Sequence, residues 1–311
     1  MNTHSSQSAS LKRGASPCRE GKPVEYRSIN LGHSGGAAVP QDVHGRIVAQ
    51  SSIEKLLAGQ KKVDPWPLVG RILGVDPWRP SSQSRYREAV GQVAVGRLLE
   101  QLSHEWTVLH SVPIGAGSSD DVDHVVIGPG GVYTVRTRSY IGQAVCVSGQ
   151  TMWATCEATW VAGQPVIVSS EEQKHIGIAR CEASKVALQL ATDVSGQVPV
   201  TGIIVIVHAK SVTIQEGPSD VVVLTDRQLL GWLNARPRIL APQQLQQVSE
   251  VAVEPRTWPD APVKTSDPAH IGDAFSALQR AVDTSRSRQV GWLIGLVAGM
   301  PLLWAIASRL L

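Results

Sequence analysis

The residues with chemical potential cluster in two runs, Asp121-Val122-Asp123-His124 and Arg136-Thr137-Arg138, separated by apolar residues around Gly128-Pro129-Gly130-Gly131. That pattern predicts a β-hairpin with Pro129 and Gly130 at the two central turn positions. The register then sets Asp123 directly opposite Arg136, and alternation puts Arg138 on the same face, in diagonal reach of Asp123 or of Gln92 on the preceding helix. An Asp123–Arg136 ion pair is expected. His124 falls on the other face, where a hydrogen-bonded core histidine is expected. A competing chemistry uses carboxylates: Glu88 lies four residues before Gln92 on one helical face, and Asp121 shares the strand parity of Asp123. Asp123, Asp121 and Glu88 together would suit a hard divalent cation such as Mg²⁺. Against it, a guanidinium about 5 Å from such a cation repels it by on the order of 6 kcal/mol at an effective dielectric of about 20. No metal or other cofactor is therefore expected, Mg²⁺ entering only with the carboxylate alternative.

Other signatures of catalysis are weak. Gly32-His33-Ser34-Gly35-Gly36 matches the G-x-S-x-G elbow but has no strand before it and no helix after it. There is no phosphate-loop lysine, His-Glu-x-x-His or dinucleotide-binding glycine set. The four cysteines, Cys18, Cys146, Cys156 and Cys181, form no C-x-x-C pair, which fits a reducing compartment better than disulfides or zinc. The polar start lacks the apolar run of a secretory signal, so the soluble part is expected in the cytoplasm.

The elements that must position these groups follow from periodicity. Residues 1–80, rich in Ser, Gly, Pro and Ala, read as disordered, with a repeated Val-Asp-Pro-Trp at 63–66 and 75–78 as a packed linker. Tyr86, Val90, Val93, Ala94, Leu98 and Leu102 recur at helical spacing. Strands are expected at 106–112, along both arms of the hairpin, at 145–153, 201–207 and 221–224. Ser169-x-x-Glu172 reads as a capping box opening a helix to about Ala191, with Ile176, Ile178, Val186, Leu188 and Leu190 as core positions. Asp226 is expected to cap a helix over 227–233, and a last helix spans 243–252. The domain, residues 81–258, is thus α/β, helices flanking a mixed sheet.

These stretches resemble NERD, the nuclease-related domain family, whose pattern is a helical Gly-Glu, an Ile-Asp-His strand, Gly-Pro-x-Gly-Val and a strand ending in Glu-x-Lys. The corresponding residues are Gly91-Gln92, Val122-Asp123-His124, Gly128-Pro129-Gly130-Gly131-Val132 and Arg136-Thr137-Arg138. The resemblance implies the PD-(D/E)XK restriction-endonuclease-like fold, in which the Asp and Glu hold a divalent cation and the Lys serves the attacking water. In that pattern the catalytic positions are Asp123, Arg138 and Gln92, of which only Asp123 keeps its residue type. Gln92 stands for the helical Glu, Arg136 for the ligand Glu and Arg138 for the Lys, so a catalytically silent site is expected, with Arg136 and Arg138 as binding residues.

Residues 1–80 carry a net charge of +5, residues 81–258 of −3 and residues 259–311 of +1. A mildly acidic domain lacks the basic footprint of a protein that grips nucleic acid by its phosphates. After a linker at 259–288, residues 290–307 form an uncharged apolar run, and a transmembrane helix over 289–308 is expected. Trp292 and Trp304 suit its two interfaces, and Arg286 and Arg288 before it favour a cytoplasmic domain. Gly291, Gly295 and Gly299 make a double G-x-x-x-G that suits a homodimer. The sequence thus reads as a single-pass, membrane-anchored binding module with nucleic acid as a candidate partner. The alternatives are a Mg²⁺-dependent DNA or RNA nuclease and a protein-binding membrane scaffold.

Overall fold

The computed structural model describes residues 24–25, 39, 45–60, 80–115, 121–161, 164–194, 198–258 and 267–310. The Gly32–Gly36 motif and both Val-Asp-Pro-Trp segments lie outside them. The elements are β1 (Val24–Glu25), α1 (Gln50–Gln60), α2 (Pro80–Leu99), β2 (Thr107–Val112), β3 (Val122–Gly128), β4 (Gly131–Ser139), β5 (Ala144–Ser148), β6 (Thr151–Val161) and β7 (Gln164–Gln173). They continue with α3 (His175–Leu190), β8 (Val200–Val207), β9 (Ser211–Glu216), β10 (Val221–Thr225), α4 (Asp226–Asn234), α5 (Pro242–Val253) and α6 (Pro268–Leu310).

The hairpin forms in the expected register. Gly128 pairs with Gly131 and His124 with Val135, which leaves Pro129 and Gly130 as the turn. The turn's positive φ, +123°, falls on Gly131 rather than Gly130. Gly130 is needed for space instead, since a Cβ there would lie 2.5 Å from Cβ of Arg236. The hairpin sits inside a mixed sheet, β10-β8-β4-β3-β2, with β8 parallel to both β4 and β10. Strand β8 is apolar along Ile203–Val207 because both its faces are covered. Toward one face, Val126, Tyr133 and Val135 pack on Val95 and Leu99 of α2 and Leu229 and Leu233 of α4. Toward the other, Val125, Ile127 and Val132 meet Val186 and Leu190 of α3 and Val248 and Ala252 of α5.

Several expectations change. The run at 145–153 is two strands of a second sheet, β1-β9-β5-β6-β7, so the α/β fold has two mixed sheets flanked by helices. The Ser169/Glu172 capping box does not form: both residues pair with β6, and α3 begins only at His175 with no side-chain cap. Sheet pairing there overrides a local helix-start signal. Leu188, expected in the core, is 72% exposed. The α4 cap is Thr225, in a capping box with Gln228, while Asp226 accepts the adjacent Arg227 N–H.

The ends of the chain depart most from the expected disorder and linker. Ile53 and Leu56 of α1, Tyr86, Ala89 and Val93 of α2, and Ile271, Phe275 and Val282 of α6 form one buried cluster. The 4-3-4 spacing of Ile271, Phe275, Leu278 and Val282 supplies one apolar helical stripe, and it makes 268–285 part of the folded body. Among the described residues, no helix is long and apolar enough to cross a membrane. The expected span falls mostly on positions whose side chains lie outside those described, Gly299 and Trp304 among them. At its start Val290, Trp292 and Ile294 are more than half exposed.

Phe275, the only phenylalanine of the chain, is fully buried against Tyr86, with ring centroids 6.0 Å apart. Phe275→Ala is expected to lower unfolding stability by about 3–5 kcal/mol in denaturant titrations. An unchanged midpoint would return 268–285 to the status of a linker.

Candidate functional site

The residues singled out from sequence meet at one end of the main sheet. Asp121, Asp123, Arg136 and Arg138, from the hairpin arms, and Glu88 and Gln92, from α2, line one cleft of about 420 Å³. Helix α2 brings Gln92 this close because Gly91 has no side chain; a Cβ there would lie 2.9 Å from Val207 on β8. The opposite wall was not anticipated: Ser51, Ser52 and Lys55 come from α1, and Arg85 from the start of α2. Their apolar neighbours Ile53 and Leu56, at helical spacing, were the available signal.

The expected Asp123–Arg136 ion pair is not the one that forms. Arg136 Nη1 donates to Oε1 of Glu182, a residue of α3 that crosses the same face of the sheet. Strand geometry alone cannot see a helix, and so Glu182 was missed. Both partners are at least nine-tenths buried. Removing one partner of such a pair typically costs about 3–5 kcal/mol, because the other charge stays desolvated.

Asp123 is held by neutral donors. Gln92 Nε2 donates to its Oδ1 at 2.8 Å, and the Thr137 backbone N–H to its Oδ2 at 2.6 Å. Burial pushes the Asp123 pKa up to about 6, against the opposing pull of Arg138, Arg136 and the Thr137 N–H; Glu88 adds a further upward push. Arg138 reaches neither Asp123 nor Gln92, as had been expected of it. Its Nη1 donates to Glu88 Oε1 at 2.5 Å and to the Thr137 carbonyl at 2.7 Å, and its Nε donates to His175 Nδ1 at 3.2 Å. His175 is thereby kept neutral, its pKa pushed down to about 3 by burial and by Arg138 and Arg136. His124 is fully buried, its Nδ1 2.9 Å from Nδ1 of His110, and burial holds its pKa well below the usual range.

The carboxylate alternative finds its three residues in one cleft, but each is engaged elsewhere. Asp121 accepts from Arg46 Nη2 at 3.2 Å and from the Ser51 hydroxyl, Glu88 holds Arg138, and Asp123 is bonded as above. Among the described residues, no three His, Cys, Asp or Glu side chains are grouped so as to hold a metal ion. The divalent cation that the resemblance implies does not fit this set, because beside Asp123 stand two guanidiniums, Arg136 held by the buried Glu182 and Arg138 held by Glu88. What the cleft offers is an array of donors: Lys55, Arg85, Arg136 and Arg138 against three carboxylates, with serine hydroxyls between them. Such an array suits an anion with several oxygens.

The raised Asp123 pKa has a defined sign in stability. Between the unfolded pKa near 4 and the folded value near 6, the native state binds more protons than the unfolded chain, so stability falls as pH rises through that window. Asp123→Asn removes this titration and keeps the shape. Relative to wild type it is expected to gain about 3 kcal/mol between pH 4 and pH 8, by equilibrium unfolding at each pH. A difference that does not change with pH would remove the buried-carboxylate account.

Residues 87–207 match the family model of NERD, the nuclease-related domain. Among curated proteins and solved structures none matches. The matched stretch runs from the middle of α2, through the hairpin and α3, to the end of β8, and so contains Gln92, Asp123, Arg136, Arg138 and Glu182. The likeness to the nuclease-related domain is thus carried by residues 87–207, and it is consistent with a PD-(D/E)XK-like superfamily fold.

Proposed function

We propose that the chain is a membrane-anchored, catalytically silent NERD protein whose cleft binds a phosphate-bearing partner, nucleic acid being the class that best suits it. The observation that carries this reading is the charge at the strand end. Arg136 and Arg138 line the cleft beside Asp123, and helix carboxylates, Glu182 and Glu88, hold them there as cations. Nuclease chemistry of this fold gathers negative oxygen around a dication at that place. Here the same geometry gathers N–H donors, which stabilise a phosphate oxygen rather than a metal. Arg138 keeps the positive charge of the pattern's Lys, and among the described residues no three carboxylate, His or Cys side chains are grouped so as to hold a metal ion.

The anchor is the C-terminal part of α6. Its first half packs on α1 and α2 as far as Val282, and the uncharged run begins about two turns after that contact. Positive Arg286 and Arg288 at the junction favour a cytoplasmic cleft, and Gly291, Gly295 and Gly299 give two such helices a surface for close approach.

Labelled single-stranded and duplex DNA, titrated against the full chain with and without Mg²⁺, separates the possibilities. Binding without cleavage is expected, and it should not depend on Mg²⁺. For about two phosphates neutralised, a fourfold rise in salt should weaken single-strand affinity by roughly sevenfold, and Arg138→Gln should flatten that slope by about one phosphate. Mg²⁺-dependent cleavage lost in Asp123→Asn would restore the nuclease reading, and absence of any binding would favour a protein-binding scaffold.

A further inference from the structure

Arg138 and Glu88 line two cavities at once. Beyond the cleft already described lies a second one of about 300 Å³, walled by Ser84, Tyr140, Gln143, Gln173 and His175 together with that ion pair. Each cavity has one buried donor without a partner. In the first it is Nε of Arg136, a residue 8% exposed, and in the second the hydroxyl of Tyr140, a residue 6% exposed. Both donors are closed to solvent as the walls stand, and an unsatisfied buried donor is costly, so each favours a shift of its wall that admits an acceptor. The second cavity has a polarity of its own. Because His175 Nδ1 accepts from Arg138, the ring proton resides on Nε2, which makes this histidine a fixed donor. Its ring stands edge-on to Tyr140, centroids 6.4 Å apart. A flat heterocycle with carbonyl and ring-nitrogen acceptors matches this wall, and a phosphate matches the cationic side.

We propose that the two cavities are halves of one nucleotide site, with the phosphate on Arg138 and Arg136 and the base beside Tyr140, His175 and Gln143. The proposal rests on the cationic-cleft reading above and adds recognition of a single base to it. Glu88 competes for Arg138 and is displaced when phosphate arrives; its side chain is 38% exposed, so it can turn to solvent. The same chemistry comes from a free nucleoside 5′-monophosphate or from the phosphorylated end of a single strand.

The test is calorimetric titration of the full chain, in mild detergent, with inorganic phosphate, each ribonucleoside 5′-monophosphate, the corresponding nucleosides and a short 5′-phosphorylated single strand. At least one monophosphate is expected to bind about tenfold or more tighter than inorganic phosphate and than its own nucleoside. Tyr140→Phe should weaken that nucleotide on the order of fivefold while leaving inorganic phosphate unchanged. It removes only an unpaired buried hydroxyl, so its thermal midpoint should be equal or higher, which shows that the fold is intact. Glu88→Gln should tighten both phosphate and nucleotide by about threefold. A strand that binds tighter than the mononucleotide identifies a strand end as the source, and the reverse order identifies the free nucleotide. Equal affinity for phosphate and nucleotides, or a Tyr140→Phe variant that binds the nucleotide like wild type, overturns the base pocket and leaves the cationic cleft standing. If neither phosphate nor strand binds, both readings fall.

Discussion

The buried ion pair between Arg136 and Glu182 constrains the rest of the site. A guanidinium taken out of water at a strand end must have a carboxylate beside it, and α3 provides one across the sheet face. Once that cation is fixed, a metal at the same place would be opposed by its charge. Gln92 gives Asp123 an N–H where a glutamate would give it a second negative charge, and the Thr137 N–H occupies the other oxygen. Arg138 is balanced by Glu88 from α2. The three departures from the family pattern therefore form one arrangement, in which each charge has a partner without any added dication.

What could be read from the sequence was local. The turn at Pro129-Gly130 and the hairpin register followed from glycine, proline and alternation within a few residues, and the apolar run around Ile203–Val207 declared a doubly covered strand. The partner of Arg136 could not be read in this way, because Glu182 lies on another element 46 residues away. The Ser169/Glu172 signal was real as a pattern but weaker than pairing with β6. Helix α1 was hidden by the Ser- and Gly-rich composition around it, although Ile53, Leu56 and Leu57 kept helical spacing. With α1 went Ser51 and Lys55, which form one wall of the cleft.

The same packing joins the two ends of the chain. α1 lies beside both the cleft and the first half of α6, and α6 continues as one helix to Leu310. The cleft and the C-terminal apolar run are thus linked through packed helices. In the proposed anchored state this would hold the cleft at a set height above the bilayer rather than on a loose tether. The net acidity of residues 81–258 hid the cleft's character, since the cations are few and converge from α1, α2 and β4. A local field is set by which charges meet, and the total says little about it.

The central claim concerns the sign of charge beside Asp123, and calorimetric titration with Mg²⁺ and Mn²⁺ addresses it most directly. The account predicts no saturable binding to the wild-type chain, and binding that appears when Gln92→Glu, Arg136→Glu and Arg138→Lys are combined. Saturable binding to the wild type that disappears in Asp123→Asn would contradict it.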